Sequence, residues 1–511
     1  MPIYLTGNTL TIADVIAVAR HSQKVFLSDE ARAEMTRSYE WVVEASSREQ
    51  AIYGINTGFG SLARVRIPPE KTATLSWNLI RSHSAGLGPI ASPECTRAVM
   101  LLRANALAKG VSGCRPLIVE MLLQFLNEGL HPVIPMQGSC GSSGDLAPLA
   151  HLGLVLIGDP LGEAILDGTK YSAPEALQKI GMAPLELEAK DGLAITNGAQ
   201  LSTALATLIC ADARVLIESA ELAASMSIEA LLGVSRAFHP RVHALRPYQG
   251  AIETAAHIVR CTQGSTLIDS VPEKVQDAYS LRCTPQVLGA VRDMLRFVEG
   301  QVSTELNAAT DNPLILIDTP EENKAFSAGM FHGEPIGMAI DSLKIALCEL
   351  ASISERRLYR LTTGSLSQLL PPGLVGQDKP VLGMMVPQTT AAALVSENKS
   401  LAWPASVDSI PTCEDQEDHI AMSTVAARRC LDVLQNSRRV IAIELLSAAH
   451  ALAHRLEENP KHKLGTGTQK GFHTIQDLLF EIHGDELVSN QIEVITQAIQ
   501  HGTFAIAQEN K

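Results

Sequence analysis

Apolar residues recur at helical spacing through most of the chain. Between Leu117 and Glu128 they fall three and four apart, with Pro116 opening the segment and Gly129 closing it. Ser92-Pro93-Glu94 reads as cap, first-turn proline and first-turn acid of a helix that Gly110 ends. Residues 3–6 read as a short strand. From about Asn197 the pattern lengthens into Ala/Leu-rich helical stretches at roughly 198–232, 284–308, 334–363, 388–402 and 417–457. Several exceed the usual globular helix, and their long apolar stripes call for a bundle. Small residues such as Ala391–Ala393 suggest packing against other subunits. After Pro460, KHKLGTGTQKG reads as a loop, followed by two short helices to about 500. The expected fold is mainly α. A mixed, mainly helical N-terminal domain spans 1–196, a long-helix bundle 197–457 and a short helical segment 458–511.

Composition narrows the class. The 511 residues are 46% hydrophobic and 19% charged, which excludes disorder. A net charge of −14 argues against nucleic acid or an anionic membrane as partner. Nine cysteines without CxxC spacing read as reduced thiols and a cytoplasmic setting. The start, MPIYLTGNTL, has no basic region or long apolar run of the kind a signal peptide needs. The apolar stretch Leu201–Val234 carries Asp212, Arg214, Glu218 and Glu221, so it reads as a buried helix, not a membrane span. His450 and His454 stand four apart, but Ala451 replaces the Glu of HExxH, and no metal site is expected.

Two stretches break the helical pattern. YGINTGFGSLA at 53–63 has glycines in the order GxxxGxG, which is not a dinucleotide fingerprint. GSCGSSGDLAPLAH at 138–151 is a Gly/Ser loop leading into an apolar helix at Leu146–Leu156, with Asp145 placed to cap it. No Lys follows Gly144, so this is no phosphate loop, and no GxSxG frame exists for a nucleophile elbow. A capped turn satisfies the residues. So does a chemical reading. In a tight turn the Gly144 amide nitrogen can attack the Ser142 carbonyl carbon, because glycine reaches strained backbone angles. Loss of two waters, one of them from the Ser143 side chain, leaves 4-methylideneimidazol-5-one, an electrophile made from the chain itself.

GSCGSSGDLAPLAH resembles the active-site loop of the histidine and aromatic amino-acid ammonia-lyases. The resemblance extends through YGINTGFG (53–60), RSHSAG (81–86), NGAQ (197–200), QDAYSLRC (276–283), TDNP (310–313), FHGEP (331–335) and QEDH (416–419), in the family's order. It implies a homotetrameric lyase with active sites shared between subunits and the methylideneimidazolone ring as cofactor. It implies Tyr53 as the base that removes a β-proton, with Tyr279 supporting elimination. Asn197 would orient the amine and the ring carbonyl, and Arg282 would bind the substrate carboxylate, to which its planar fork is suited. Gln276 and Phe331 would line the pocket.

The histidine branch is nearest, because Ser82-His83 and Glu417 supply polar partners for an imidazole ring. L-histidine going to trans-urocanate is therefore the expected reaction. Tyrosine or phenylalanine deamination, a 2,3-aminomutase and a lyase for a modified histidine stand as alternatives within the class. An inactive helical assembly protein is the alternative outside it. The chain departs from the family at Ser142, where Ala is usual. It departs from the histidine branch at Ala278 for Pro, Met330 for Asn and Trp403 for His, and in an altered TTGSLSQLLPPG segment at 362–373.

Overall fold

Helix ends follow the punctuation of the sequence in the computed structural model, which describes residues 2–58, 65–188, 190–375, 383–480 and 487–505. Ser92 caps Pro93–Ala108 by accepting from the Cys95 amide. Pro116–Glu128 ends at a left-handed Gly129. The long helices are Gln200–Ala230, Thr284–Glu305, Glu334–Thr362, Met385–Leu401 and Ser423–Glu458. Strands are few and short. Ile3–Leu5 pairs in parallel with Val25–Leu27, and Leu87–Ile90 pairs antiparallel with Pro135–Gln137. The expected loop after Pro460 is shorter than read, because Thr466–Phe480 is already helical.

Two compact units form. One comprises 1–208, 299–341 and 404–428, and the other 209–298, 342–403 and 429–511. They interleave along the chain, so their limits are drawn differently from the sequential divisions at 196 and 457.

In the first unit, Val42, Ala45, Ile52, Ile55 and Ile315 form a buried cluster, with Trp41, Ile317 and Ala325 packed around it. This cluster anchors the turn that carries Tyr53 from both sides. In the second unit, long helices are cross-linked by buried ions. Glu444 accepts from Arg357 Nε at 2.5 Å and Nη2 at 2.8 Å, from Ser227 Oγ at 2.7 Å and from Ser354 Oγ at 2.6 Å. Such a carboxylate is stable inside a protein only because every lone pair is occupied. The apolar helix Gln200–Ala230 is long enough to cross a membrane, but 78% of its most apolar window is buried within the chain.

Candidate active site

The 138–145 loop is held in place from several sides. Gly144 has φ +75 and lies against Gly198, with a Cβ on Gly144 falling 2.3 Å from the Gly198 carbonyl. Only glycine permits both the left-handed angle and that approach. The Asp145 amide donates to the Gly198 carbonyl at 2.6 Å, and the Gly333 amide donates to the Gly141 carbonyl at 3.0 Å. The second bond ties the FHGEP segment, and with it Phe331, to the loop.

Asp145 does not cap its own helix as expected. It occupies the N-cap position of Leu146–Leu156, but its side chain makes no capping bond there. It is fully buried and reaches the first turn of the Gln200–Ala230 helix instead. Oδ2 accepts from the Ser202 amide at 2.9 Å and from Ser202 Oγ at 3.1 Å. Oδ1 accepts from Ser139 Oγ at 2.8 Å and from Thr424 Oγ1. The physical reason is competition: helix-start amides on a neighbouring element and two hydroxyls offer the charge more donors than its own helix does.

Asn197 terminates the short Asp191–Thr196 helix and is 5% exposed. Its Nδ2 donates to the Ser143 carbonyl at 2.9 Å. Its Oδ1 is buried and has no hydrogen-bond partner among the described residues. Arg103, fully buried, fixes the Asn197 backbone. Its Nη1 donates to the Asn197 carbonyl at 2.9 Å, to Gln200 Oε1 at 3.0 Å and to the Thr310 carbonyl at 3.2 Å. The sequence reading missed Arg103, although an arginine inside the apolar helix MLLRANALA is itself a signal.

Glu417 reaches the same loop. Ser142 Oγ donates to Oε2 at 2.9 Å, and Ser143 Oγ donates to Oε1. Thr412 Oγ1 also donates to Oε2, at 2.9 Å. Burial opposes the charge on Glu417, but donors from Ser143, Thr412, Ser142 and Cys413 outweigh it and hold the carboxyl below its ordinary value. The turn presenting Glu417 is left-handed at Cys413, Glu414 and Asp415, with φ of 51, 56 and 62. At about 1–2 kcal/mol per residue, that conformation is strain stored beside the site. Nothing in the sequence signalled it.

His83 ends the Thr72–His83 helix, and its Nδ1 lies 3.0 Å from Ser82 Oγ. Burial lowers its pKa, against the pull of the Leu79 carbonyl and the Glu417 charge. Half-buried Tyr53 sits on a turn in which the Ile52 amide donates to Asn56 Oδ1 at 2.7 Å. Residues 59–63 of that motif lie outside the described residues.

Gln276, Tyr279 and Arg282 belong to the second unit. Tyr279–Arg282 is a single helical turn in which the Arg282 guanidinium lies 4.8 Å from the Tyr279 ring centroid. Tyr279 is 71% exposed on the chain. Arg282 Nε is buried without a hydrogen-bond partner among the described residues. Such an arrangement leaves a cation and a phenol available to a further group.

The first unit thus brings together a left-handed glycine turn, a buried asparagine acceptor without a partner among the described residues, and a carboxylate bonded to the serine pair. The aromatic amino acid lyase model matches residues 10–477, and the chain belongs to that family, a family of carbon–nitrogen lyases. Among curated relatives, a histidine ammonia-lyase of Symbiobacterium thermophilum is 45% identical over 504 residues, covering 98% of this chain and 97% of the relative. A crystal structure of histidine ammonia-lyase from Trypanosoma cruzi matches with TM-score 0.90 and 37% identity, covering 99% of this chain and 94% of the other. A tyrosine aminomutase from Streptomyces globisporus matches with TM-score 0.91 and 35% identity, over 99% and 98% of the two chains.

Proposed function

We propose that this enzyme eliminates ammonia from L-histidine to give trans-urocanate, using a 4-methylideneimidazol-5-one formed from Ser142, Ser143 and Gly144. The observation that carries the reading is Glu417: an ionised carboxylate bonded to Ser142 and Ser143, with His83 close enough to feel its charge. A phenyl side chain would offer neither group a hydrogen bond, whereas an imidazole can bond to both.

The tripeptide fits the ring. Gly144 already has the folded, left-handed backbone, and the Ser143 carbonyl, which becomes the ring carbonyl, accepts from Asn197. The unpartnered Asn197 Oδ1 supplies an acceptor beside it.

The ring supplies an electrophile that turns the substrate amine into a leaving group. Asn197 holds that amine through Oδ1. Tyr53 removes the β-proton. A free tyrosine has a pKa of about 10, so the mechanism needs the Tyr53 phenolate stabilised. Arg282 pairs with the substrate carboxylate, Tyr279 supports elimination, and Gln276 and Phe331 line the pocket. Glu417 and His83 read the imidazole.

We also propose a cytoplasmic homotetramer with shared sites and a small amino acid as its partner, with neither nucleic acid nor membrane bound. Support comes from the exposed Tyr279 and from the nine cysteines, all of them free. Mixing Tyr53→Phe with Arg282→Ala subunits should restore activity in hybrid tetramers. None in verified hybrids means that each chain holds a full site.

The deciding experiment is a panel of amino acids assayed for ultraviolet-absorbing acrylate products, with the intact mass measured on the same protein. Histidine should exceed tyrosine and phenylalanine by on the order of 10²-fold, and the mass should fall short of the sequence by two waters. Equal turnover of the three overturns the substrate. An active protein of full mass overturns the ring.

A further inference from the structure

Ring formation asks only a backbone carbonyl of residue 142, so the Ser142 hydroxyl is not consumed by it. In the chain as encoded, both serine hydroxyls reach Glu417. Ser142 Oγ donates to Oε2 at 2.9 Å, and Ser143 Oγ donates to Oε1. Dehydration removes the Ser143 hydroxyl as water and leaves a methylidene carbon, which cannot donate. Oε1 thereby loses its donor from Ser143. Oε2 keeps both of its own: Ser142 from the cofactor loop and Thr412, at 2.9 Å, from the turn that carries Glu417. Ser142 is 9% exposed, so water competes poorly for this bond.

We propose that Ser142 is a positioning residue for Glu417: it clamps Oε2 so that Oε1, freed by the dehydration of Ser143, is presented to the substrate ring. The inference rests on the histidine reading above. One dehydration then both builds the electrophile and uncovers the carboxylate oxygen beside it. A chain with alanine at this position holds Glu417 by Thr412 and Cys413, both on its own turn, without the loop's contribution, and its carboxylate is freer to swing.

The test compares wild type with Ser142→Ala by intact mass, histidine kinetics and pH profile. Ser142→Ala should still lose two waters. Its KM for histidine should rise about 10-fold, as expected for a lost bond to a charged group, with kcat moving less. The acid limb of kcat/KM should move to higher pH, because Glu417 has lost a donor to its ionised form. Among the described residues, His83, Cys413 and Cys140 are titratable groups that sense the Glu417 charge. The thiols are pushed up by burial and stay neutral in that range, and His83 is common to both proteins. Ser142→Thr should restore both parameters. A Ser142→Ala protein with wild-type KM and acid limb overturns the proposal, as does one that fails to cyclise. Where Ser142→Ala does not fold, the isosteric pair Ser142→Thr and Ser142→Val gives the same comparison, and equal KM values overturn it. Failure of wild type to deaminate histidine removes the parent reading. Failure confined to the variants removes only this inference.

Discussion

Asn197 donates from Nδ2 to the Ser143 carbonyl at 2.9 Å, while its other polar atom, Oδ1, is buried without a partner among the described residues. A buried amide rarely leaves an acceptor unused, since that costs about 1–3 kcal/mol. Three bonds from the fully buried Arg103 hold the local backbone and the segments around it. The asparagine is thus pre-positioned toward the carbonyl of the ring-forming serine.

Replacing Asn197 by alanine should therefore lower kcat about 10²–10³-fold, the usual loss for one preorganised donor at a site of developing charge. Mass spectrometry separates a slow reaction from a failure to cyclise. A kcat within a few-fold of wild type would remove Asn197 from the machinery.

Asp145 acts on stability. Its fully buried carboxylate binds Ser139, Ser202 and Thr424. Asp145→Ala strands those hydroxyls and the Ser202 amide at a helix start, at an expected cost on the order of 3 kcal/mol. Denaturant unfolding of the pair of proteins reads this directly. A loss below about 1 kcal/mol, typical of a single cap, would mean that the network is worth no more than ordinary capping.

Much of this architecture was legible because its signals are local. Pro93 and Pro116 open helices, and Gly129 closes one, through backbone chemistry that a few residues carry alone. The glycine–serine run between Gly138 and Gly144 announced itself in the same way. What stayed hidden depends on partners distant in sequence. Asp145 looked like the cap of its own helix, because the rule weighs adjacent amides and not a Ser202 amide 57 positions away. Cys413, Glu414 and Asp415 gave no hint of a left-handed turn, since none of them is a glycine. The segment after Gly465 read as loop from its small residues, yet Thr466–Phe480 is helical.

The second unit should show a basic-limb loss of stability. Burial alone would lower the pKa of His257, but hydrogen bonds with Cys261 and Glu221 outweigh it and push it up to about 9 from 6.5. A raised histidine pKa contributes stability fully present below about 6.5 and lost as pH rises through about 9. Glu221 has the opposite sense: burial is overcome by Arg292 and His257, and its value falls to about 2. Its contribution is present above 4.5 and lost as pH drops toward 2. Thermal scans from pH 6 to 10 should show Tm falling across that upper window, and His257→Gln should flatten the slope. An unchanged slope in that variant would assign the basic limb to other groups.

Substrate choice tests the pair His83 and Glu417 together. With Ser143 dehydrated, Ser142 and Thr412 still donate to the Glu417 carboxylate, and a charged carboxylate against a phenyl ring is poorly solvated. His83 is held toward its neutral form by burial, so it can offer a donor or an acceptor to one ring nitrogen while Glu417 accepts from the other. Replacing both at once, His83→Phe with Glu417→Gln, removes the charge and substitutes an aromatic face. Histidine kcat/KM should fall by about 10²-fold or more, since a buried imidazole N–H is left unpaired. Phenylalanine turnover, followed as the absorbing acrylate, should rise relative to wild type. Glu417→Gln alone should lose histidine activity without the gain, because His83 would still face the phenyl ring. If the double variant keeps its preference for histidine, selection does not rest on this pair. Ala278, Met330 and Trp403, where the chain departs from the histidine pattern, are then the positions to exchange.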